Sequence, residues 1–141
     1  MSAVTTTGLL ALSKETLTKL FAHADAVAPQ EACGVFVRHP NGDVGAVPIK
    51  NAHMLPETHF LIDPAGLLEL CIDGQMQAVV GLFHSHVGKL PHPSTSDLQL
   101  ITDTKLPHLI VSVGTAPRCV WASWLHHPLT FCTLEEYPCY G

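Results

Sequence analysis

Residues 78–97 read AVVGLFHSHVGKLPHPSTSD, and two changes of chain direction inside that stretch decide the fold. Ala78 to Phe83 is an apolar run of strand length, far too short to span a bilayer. It delivers the chain in extended form to His84-Ser85-His86. Side chains two apart on an extended segment point the same way, so both imidazoles can converge on one point without a helix. Residues 87–93 contain Gly88, Pro91 and Pro93 and must be loop. Ser94-Thr95-Ser96-Asp97 then has the S-x-x-D form of a capping box, which starts a helix running to about residue 104.

The flanking sequence builds outward from this strand–loop–helix unit. Upstream, Ser13 reads as a helix N-cap, with Leu12 and Leu17 placed as a hydrophobic staple. Leu17, Leu20, Phe21 and Ala24 recur at helical spacing, so the pattern predicts an amphipathic helix over about 14–27 that Pro29 ends. Glu31-Ala32-Cys33-Gly34-Val35-Phe36-Val37 is β-rich and runs into His39-Pro40-Asn41-Gly42. Asn-Gly is a strong hairpin signal, with a return strand near 44–49. A loop with Pro56 leads to Phe60-Leu61-Ile62, read as a short strand. Asp63-Pro64 opens a helix over about 64–73, which stops at Gly74. Downstream, 109–113 and 119–124 read as strands joined by a turn at 114–118, and 129–134 as a last edge strand. Helices interleaved with a central set of strands predict an α/β fold, a mixed sheet with helices on its faces. The hairpins at both ends exclude a purely parallel sheet.

Composition bounds the function. The chain has 141 residues, which fits a single domain over 1–141. Apolar residues are 47% and charged residues 13%, enough for a real core and far from a disordered chain. The formal charge is −5, with seven Lys and Arg scattered rather than clustered, which argues against nucleic-acid binding. No secretory signal pattern precedes Lys14, and no apolar run spans a membrane, so a cytoplasmic location is expected. The five Cys are odd in number and none forms a C-x-x-C pair. Free thiols in a reducing cytoplasm account for them. Ten His invite a search for metal ligands.

His84 and His86 supply two such ligands, and Asp97 in the first turn of the next helix can be folded back as the third. Two His, one Asp and an open position is the arrangement of a catalytic zinc site. Two neutral imidazoles and one carboxylate leave a net charge of about +1, which keeps a bound water acidic, near a pKa of roughly 7. Ser94, three residues before Asp97, can donate its hydroxyl to a developing oxyanion. Glu31 begins a strand beside an apolar segment and is the best candidate for a general base. His53 and His92 could touch substrate or metal, but read first as ordinary loop histidines. Cys33 faces the same side as Glu31 and could line the site, but reads first as a buried structural cysteine. Trp121 and Trp124, at odd spacing, point to opposite faces.

His84-x-His86, seven residues, Ser94, two residues and Asp97 form the signature H-x-H-x(7)-S-x(2)-D. On it the chain is identified as resembling the JAMM (MPN-plus) family. Glu31-Ala32-Cys33-Gly34 resembles the family's upstream E-x-C-G segment. Asn51, His59-Phe60-Leu61-Ile62-Asp63-Pro64 and Leu106-Pro107-His108-Leu109-Ile110-Val111-Ser112 look like small prokaryotic and phage members. The likeness spans roughly residues 12–125. Val87 departs from it, standing where many members have Pro, which bears on loop shape rather than chemistry.

The resemblance implies an α-β-α layered fold related in architecture to cytidine deaminases. It also implies zinc-dependent hydrolysis of peptide or isopeptide bonds, with one Zn2+ on His84, His86 and Asp97 and with Glu31 and Ser94 catalytic. The expected substrate is the C-terminal tail of a ubiquitin-like or sulfur-carrier β-grasp protein. Alternatives are a phage tail-assembly peptidase acting on a tail protein, and a non-catalytic MPN scaffold. A cytidine deaminase would need H-x-E and P-C-x-x-C, and a zincin a helical H-E-x-x-H; both are absent. Specificity is expected at the loop 87–93 and at a strand edge near Val35. The low charged fraction is compatible with a homodimer.

Overall fold

In a computed structural model, residues 12–74 and 78–123 and the backbone of 131–133 are described. Ser13 caps the first helix: its hydroxyl accepts from the Thr16 amide at 3.1 Å, and α1 runs Lys14–Val27. Leu17, Leu20, Phe21 and Ala24 form the buried stripe, joined in one core by Leu12. Arg118 lies over the Phe21 ring at 4.6 Å and pairs with Asp25, which ties the helix to a turn 93 residues further along the chain.

Cys33–Arg38 (β1) and Val44–Ile49 (β2) pair antiparallel as the Asn-Gly signal predicts. Gly42 takes φ 94°, the left-handed region that glycine tolerates. The pleat sends Phe36 toward α1 and Val35 and Val37 toward the opposite face. Gly34 faces the Phe83 ring so closely that a Cβ there would meet Phe83 Cζ at 2.5 Å. The remaining strands are β3 (Val79–Val87), β4 (His108–Val113), β5 (Cys119–Ala122) and β6 (Phe131–Thr133). The sheet order is β2-β1-β3-β4-β5-β6. Among the described strands only β3 and β4 run parallel, and the helix between them, α3 (Thr95–Thr104), is their crossover.

The helix α2 (Pro64–Ile72) starts at Asp63, whose side chain accepts from Ala65 N. Leu67 and Leu70 of α2 and Leu100 of α3 pack with Val35, Val37, Ile49 and Leu82 on the sheet face opposite α1. The result is the α-β-α layering that the resemblance implies. Among the described residues, no helix is long and apolar enough to cross a membrane. Cys33, Cys71 and Cys119 are free; the Cys132 side chain and Cys139 lie outside the described residues.

Three expectations need correction. Phe60-Leu61-Ile62 is not a strand: it makes one isolated bridge, Asn51 to Ile62. The Asn51 side chain takes the Leu61 amide and the His59 carbonyl, groups that a ladder would have used. Val35 is not at an edge, because β1 is paired on both sides, with β2 and β3. The strand read over 119–124 ends at Ala122, and Trp124 lies outside the described residues, while Trp121 is buried.

Candidate metal centre

The site grows from the sheet register. β3 stays extended through Val87, so His84 and His86 both project from the face opposite α1, at the strand's carboxyl end. In a sheet with a parallel crossover, that end beside the helix start is where ligands collect. Cys33 pairs with His84 across the antiparallel β1–β3 ladder, which puts Glu31 opposite His86. Two bonds hold the chain there. The Ser85 amide donates to Ala32 O at 3.0 Å, and the Ala32 amide donates to Ser85 Oγ at 2.7 Å.

The capping box brings the third candidate ligand. The Ser94 amide donates to Asp97 Oδ2 at 2.9 Å, and the Asp97 amide donates to Ser94 Oγ at 3.1 Å. Asp97 therefore sits in the first turn of α3 with its carboxylate turned back to the sheet, where the helix dipole also favours its charge. Burial opposes that charge, but His84, His86 and the Ser94 amide around it outweigh burial. They hold the Asp97 carboxyl well below the usual carboxylate range.

His84 Nε2, His86 Nε2 and Asp97 Oδ2 stand 3.3 Å from one another on every side. An ion bound tetrahedrally with bonds of about 2.0–2.1 Å spaces its ligand atoms about 3.3–3.4 Å apart. The triangle thus has the spacing that three ligands of such an ion would take, and the cleft lies beside it. The His86 tautomer agrees. Its Nδ1 lies 3.2 Å from Leu90 O, a carbonyl that can only accept, so Nδ1 carries the proton and the Nε2 lone pair faces the triangle. All three residues are buried, where three converging lone pairs are costly without a cation between them. Residue types and spacing both fit zinc.

A cleft of roughly 260 Å³ opens onto the triangle, lined among others by Glu31, Phe60, His86, Lys89, Ser94 and Asp97. Glu31 is 3% exposed, and its carboxylate has no hydrogen bond with a described residue. Burial pushes its pKa up to about 7. His86 and Lys89 pull it down, and the Asp97 charge raises it further. Ser94 Oγ accepts from the Asp97 amide, which leaves its own hydrogen available to the cleft. Asn51 organises the opposite wall. Its Nδ2 donates to the carbonyls of Glu31 at 3.0 Å, Pro56 at 3.3 Å and His59 at 2.9 Å. Its Oδ1 accepts from the His53 amide at 3.0 Å and the Leu61 amide at 3.1 Å.

The fold brings together all five residues singled out from the sequence: Glu31, His84, His86, Ser94 and Asp97. His53 also lines the cleft, stacked on His59 at 4.8 Å; His92 is not among its lining. Cys33 Sγ turns to Ile49 O at 3.5 Å. Burial, then the nearby Glu31 charge, pushes its thiol up to about 12, so it is inert, as expected. Phe60 and His108 carry weight that sequence reasoning missed. Phe60 stacks on the His84 ring at 4.2 Å, and His108 Nε2 lies 2.8 Å from His84 Nδ1. Burial, then the His84 charge, pushes the His108 imidazole down to about 3. The signals for His108 were its place in the Leu106–Ser112 segment that resembles family members and its position just before an apolar strand.

Residues 13–126 match the family described as prokaryotic homologs of the JAB domain. The chain is 27% identical over 114 residues to the CysO-cysteine peptidase of Mycobacterium tuberculosis, covering 78% of this chain and 77% of that one. The protein of the same name from Mycobacterium bovis matches equally. A solution structure of a protein from Desulfitobacterium hafniense superposes with a TM-score of 0.62 at 27% identity, over 89% of each chain. One from Salinibacter ruber shares the fold with a TM-score of 0.53 at 21% identity, over 94% of this chain and 97% of that one.

Proposed function

This chain belongs to the family of prokaryotic JAB-domain homologs, and from that membership we propose that it is a zinc-dependent peptidase of the JAMM type. Its substrate is the C-terminal tail of a ubiquitin-like or sulfur-carrier β-grasp protein. The observation that carries the reading is the triangle of His84, His86 and Asp97 beside the cleft that Glu31 lines. Family membership alone gives a fold rather than an activity. A scaffold has no use for three buried ligand atoms at coordination spacing beside a carboxyl held near neutral pH. The mycobacterial relatives named CysO-cysteine peptidase support the substrate class.

His84, His86 and Asp97 would hold the ion, which would supply a Lewis acid to acidify a water and polarise the scissile carbonyl. Glu31 does the proton work. A carboxyl with a pKa of about 7 is split between its two forms at neutral pH, which suits it to take a proton from water and return it to the leaving amine. Ser94 donates its hydroxyl hydrogen to the carbonyl oxygen as charge develops there. Its position is fixed because the same oxygen accepts from the Asp97 amide. The Asn51 bonds clamp the Glu31 backbone to the loop that carries Phe60, keeping base and ligands in register.

The test is metal content by elemental analysis of wild type, His86→Ala and Glu31→Gln, with cleavage of a β-grasp carrier extended beyond its C-terminal Gly-Gly followed by mass spectrometry. About one zinc per chain in wild type and in Glu31→Gln, lost in His86→Ala, with cleavage only by wild type, is the expected result. Wild type that cannot be loaded with zinc moves the chain to the scaffold class. A zinc-loaded Glu31→Gln protein that still cleaves removes Glu31 from the base role.

A further inference from the structure

We propose that His108 is a positioning residue for the metal centre: its Nε2 accepts the Nδ1 proton of His84 and so holds His84 in the tautomer that presents Nε2 to zinc. The inference rests on the reading of His84 as a ligand.

Both rings are fully buried, and no other described residue takes a hydrogen bond from His84 Nδ1 than His108 Nε2 at 2.8 Å. His108 is held from two sides. The parallel register sets it opposite Leu82, and its amide donates to Ser123 Oγ at 2.9 Å. Phe60 covers the His84 ring face, so that ring cannot swing away without breaking the stack. Among the described residues, His108 Nδ1 is the one buried side-chain polar atom without a hydrogen-bond partner. An unpaired buried group in a native fold needs a reason, and the tautomer of His84 supplies one.

One proton is shared between His84 Nδ1 and His108 Nε2. When it sits on His108 Nε2, His84 carries its own proton on Nε2. There it points into the triangle at Asp97 Oδ2, 3.3 Å away, and one corner is closed. When it sits on His84 Nδ1, the Nε2 lone pair is open, and a neutral His108 must carry its proton on Nδ1, the atom without a partner. Zinc at His84 Nε2 would therefore require the second arrangement. Passing from the first to the second would move the shared proton from His108 Nε2 to His84 Nδ1, release one from His84 Nε2 and take one up at His108 Nδ1, so the count on the pair is unchanged. Metal-bound histidines generally need an acceptor on the second nitrogen; here it is an imidazole rather than a carboxylate or carbonyl.

The experiment measures zinc affinity by competition with a chromophoric chelator for wild type, His108→Phe and His108→Gln. It also reads ring-nitrogen tautomers from long-range ¹H–¹⁵N spectra of zinc-loaded wild type. Phe keeps the ring shape without the acceptor, and affinity should fall about 10- to 100-fold. The Gln amide oxygen reaches the Nε2 position and should restore most of it. Loaded wild type should show His84 and His108 both protonated at Nδ1. If wild type takes up no zinc, this proposal falls together with the metal reading. If wild type binds zinc but His108→Phe binds it as tightly, or His108→Gln is as weak as Phe, the acceptor role alone is wrong. Should His108→Phe not fold, the wild-type spectrum decides by itself: a proton on His108 Nε2 in the loaded protein overturns the proposal.

Discussion

Glu31 should weaken the fold it belongs to, and the size of that effect follows from its setting. It is nearly inaccessible, without a hydrogen bond to a described residue, and its pKa lies at about 7 against an ordinary 4.5. The folded protein thus holds this proton more tightly than the unfolded chain does. The stability it contributes is complete below the ordinary value and is lost as pH rises through about 7. By pH 8 the loss amounts to roughly 3 kcal/mol, and at pH 5 to under about 1 kcal/mol. Glu31→Gln removes the titration while keeping size and shape. In metal-free protein the variant should exceed wild type by roughly 3 kcal/mol at pH 8 and nearly match it at pH 5. Urea unfolding at the two pH values measures this, with the slope against urea checked for constancy. A difference of the same size at both pH values, or a variant less stable at pH 8, would refute the reasoning. Gained stability with lost turnover is the trade expected of a functional carboxylate.

Asn51→Ala should destabilise by roughly 2–3 kcal/mol, because three of its five bonds are partly buried and each contributes about 1 kcal/mol. Hydrogen exchange at the His53 and Leu61 amides should quicken, and Asn51→Asp, which keeps only the accepting oxygen, should not rescue the loop. Ser94→Ala should lose about 1 kcal/mol of helix capping. It should retain zinc and lower kcat by a factor on the order of 10²–10³; unchanged kcat would leave Ser94 as a cap alone.

Much of the architecture was legible because its signals are local. The Ser13 and Ser94 caps, the Asn41-Gly42 turn and the Asp63-Pro64 helix start each depend on neighbours a few residues away. Helix α1, the β1–β2 hairpin and α3 follow the expected bounds closely. Reading 60–62 as a strand failed because its apolar residues look strand-like, while the side chain of Asn51, 10 positions before Leu61, takes the Leu61 amide and the neighbouring His59 carbonyl. The edge near Val35 failed for a similar reason. Pairing on the second side of β1 comes from β3, more than forty residues on, and no local pattern reports it.

The same division runs through the site. The spacing of His84, His86, Ser94 and Asp97 was fixed by sequence, since one strand, one loop and one capping box place all four within 14 residues. That Glu31 stands opposite His86 depends on the β1–β3 register, a long-range pairing. The burial that raises its pKa depends on the loop that Asn51 gathers over the cleft. His108 reaches His84 only because α3 returns the chain to lie parallel beside β3. Residue types and short-range spacing could therefore point to a candidate chemistry, whereas proton affinity and tautomer are set by solvent exclusion and contacts between distant segments, which exist only once the chain has folded.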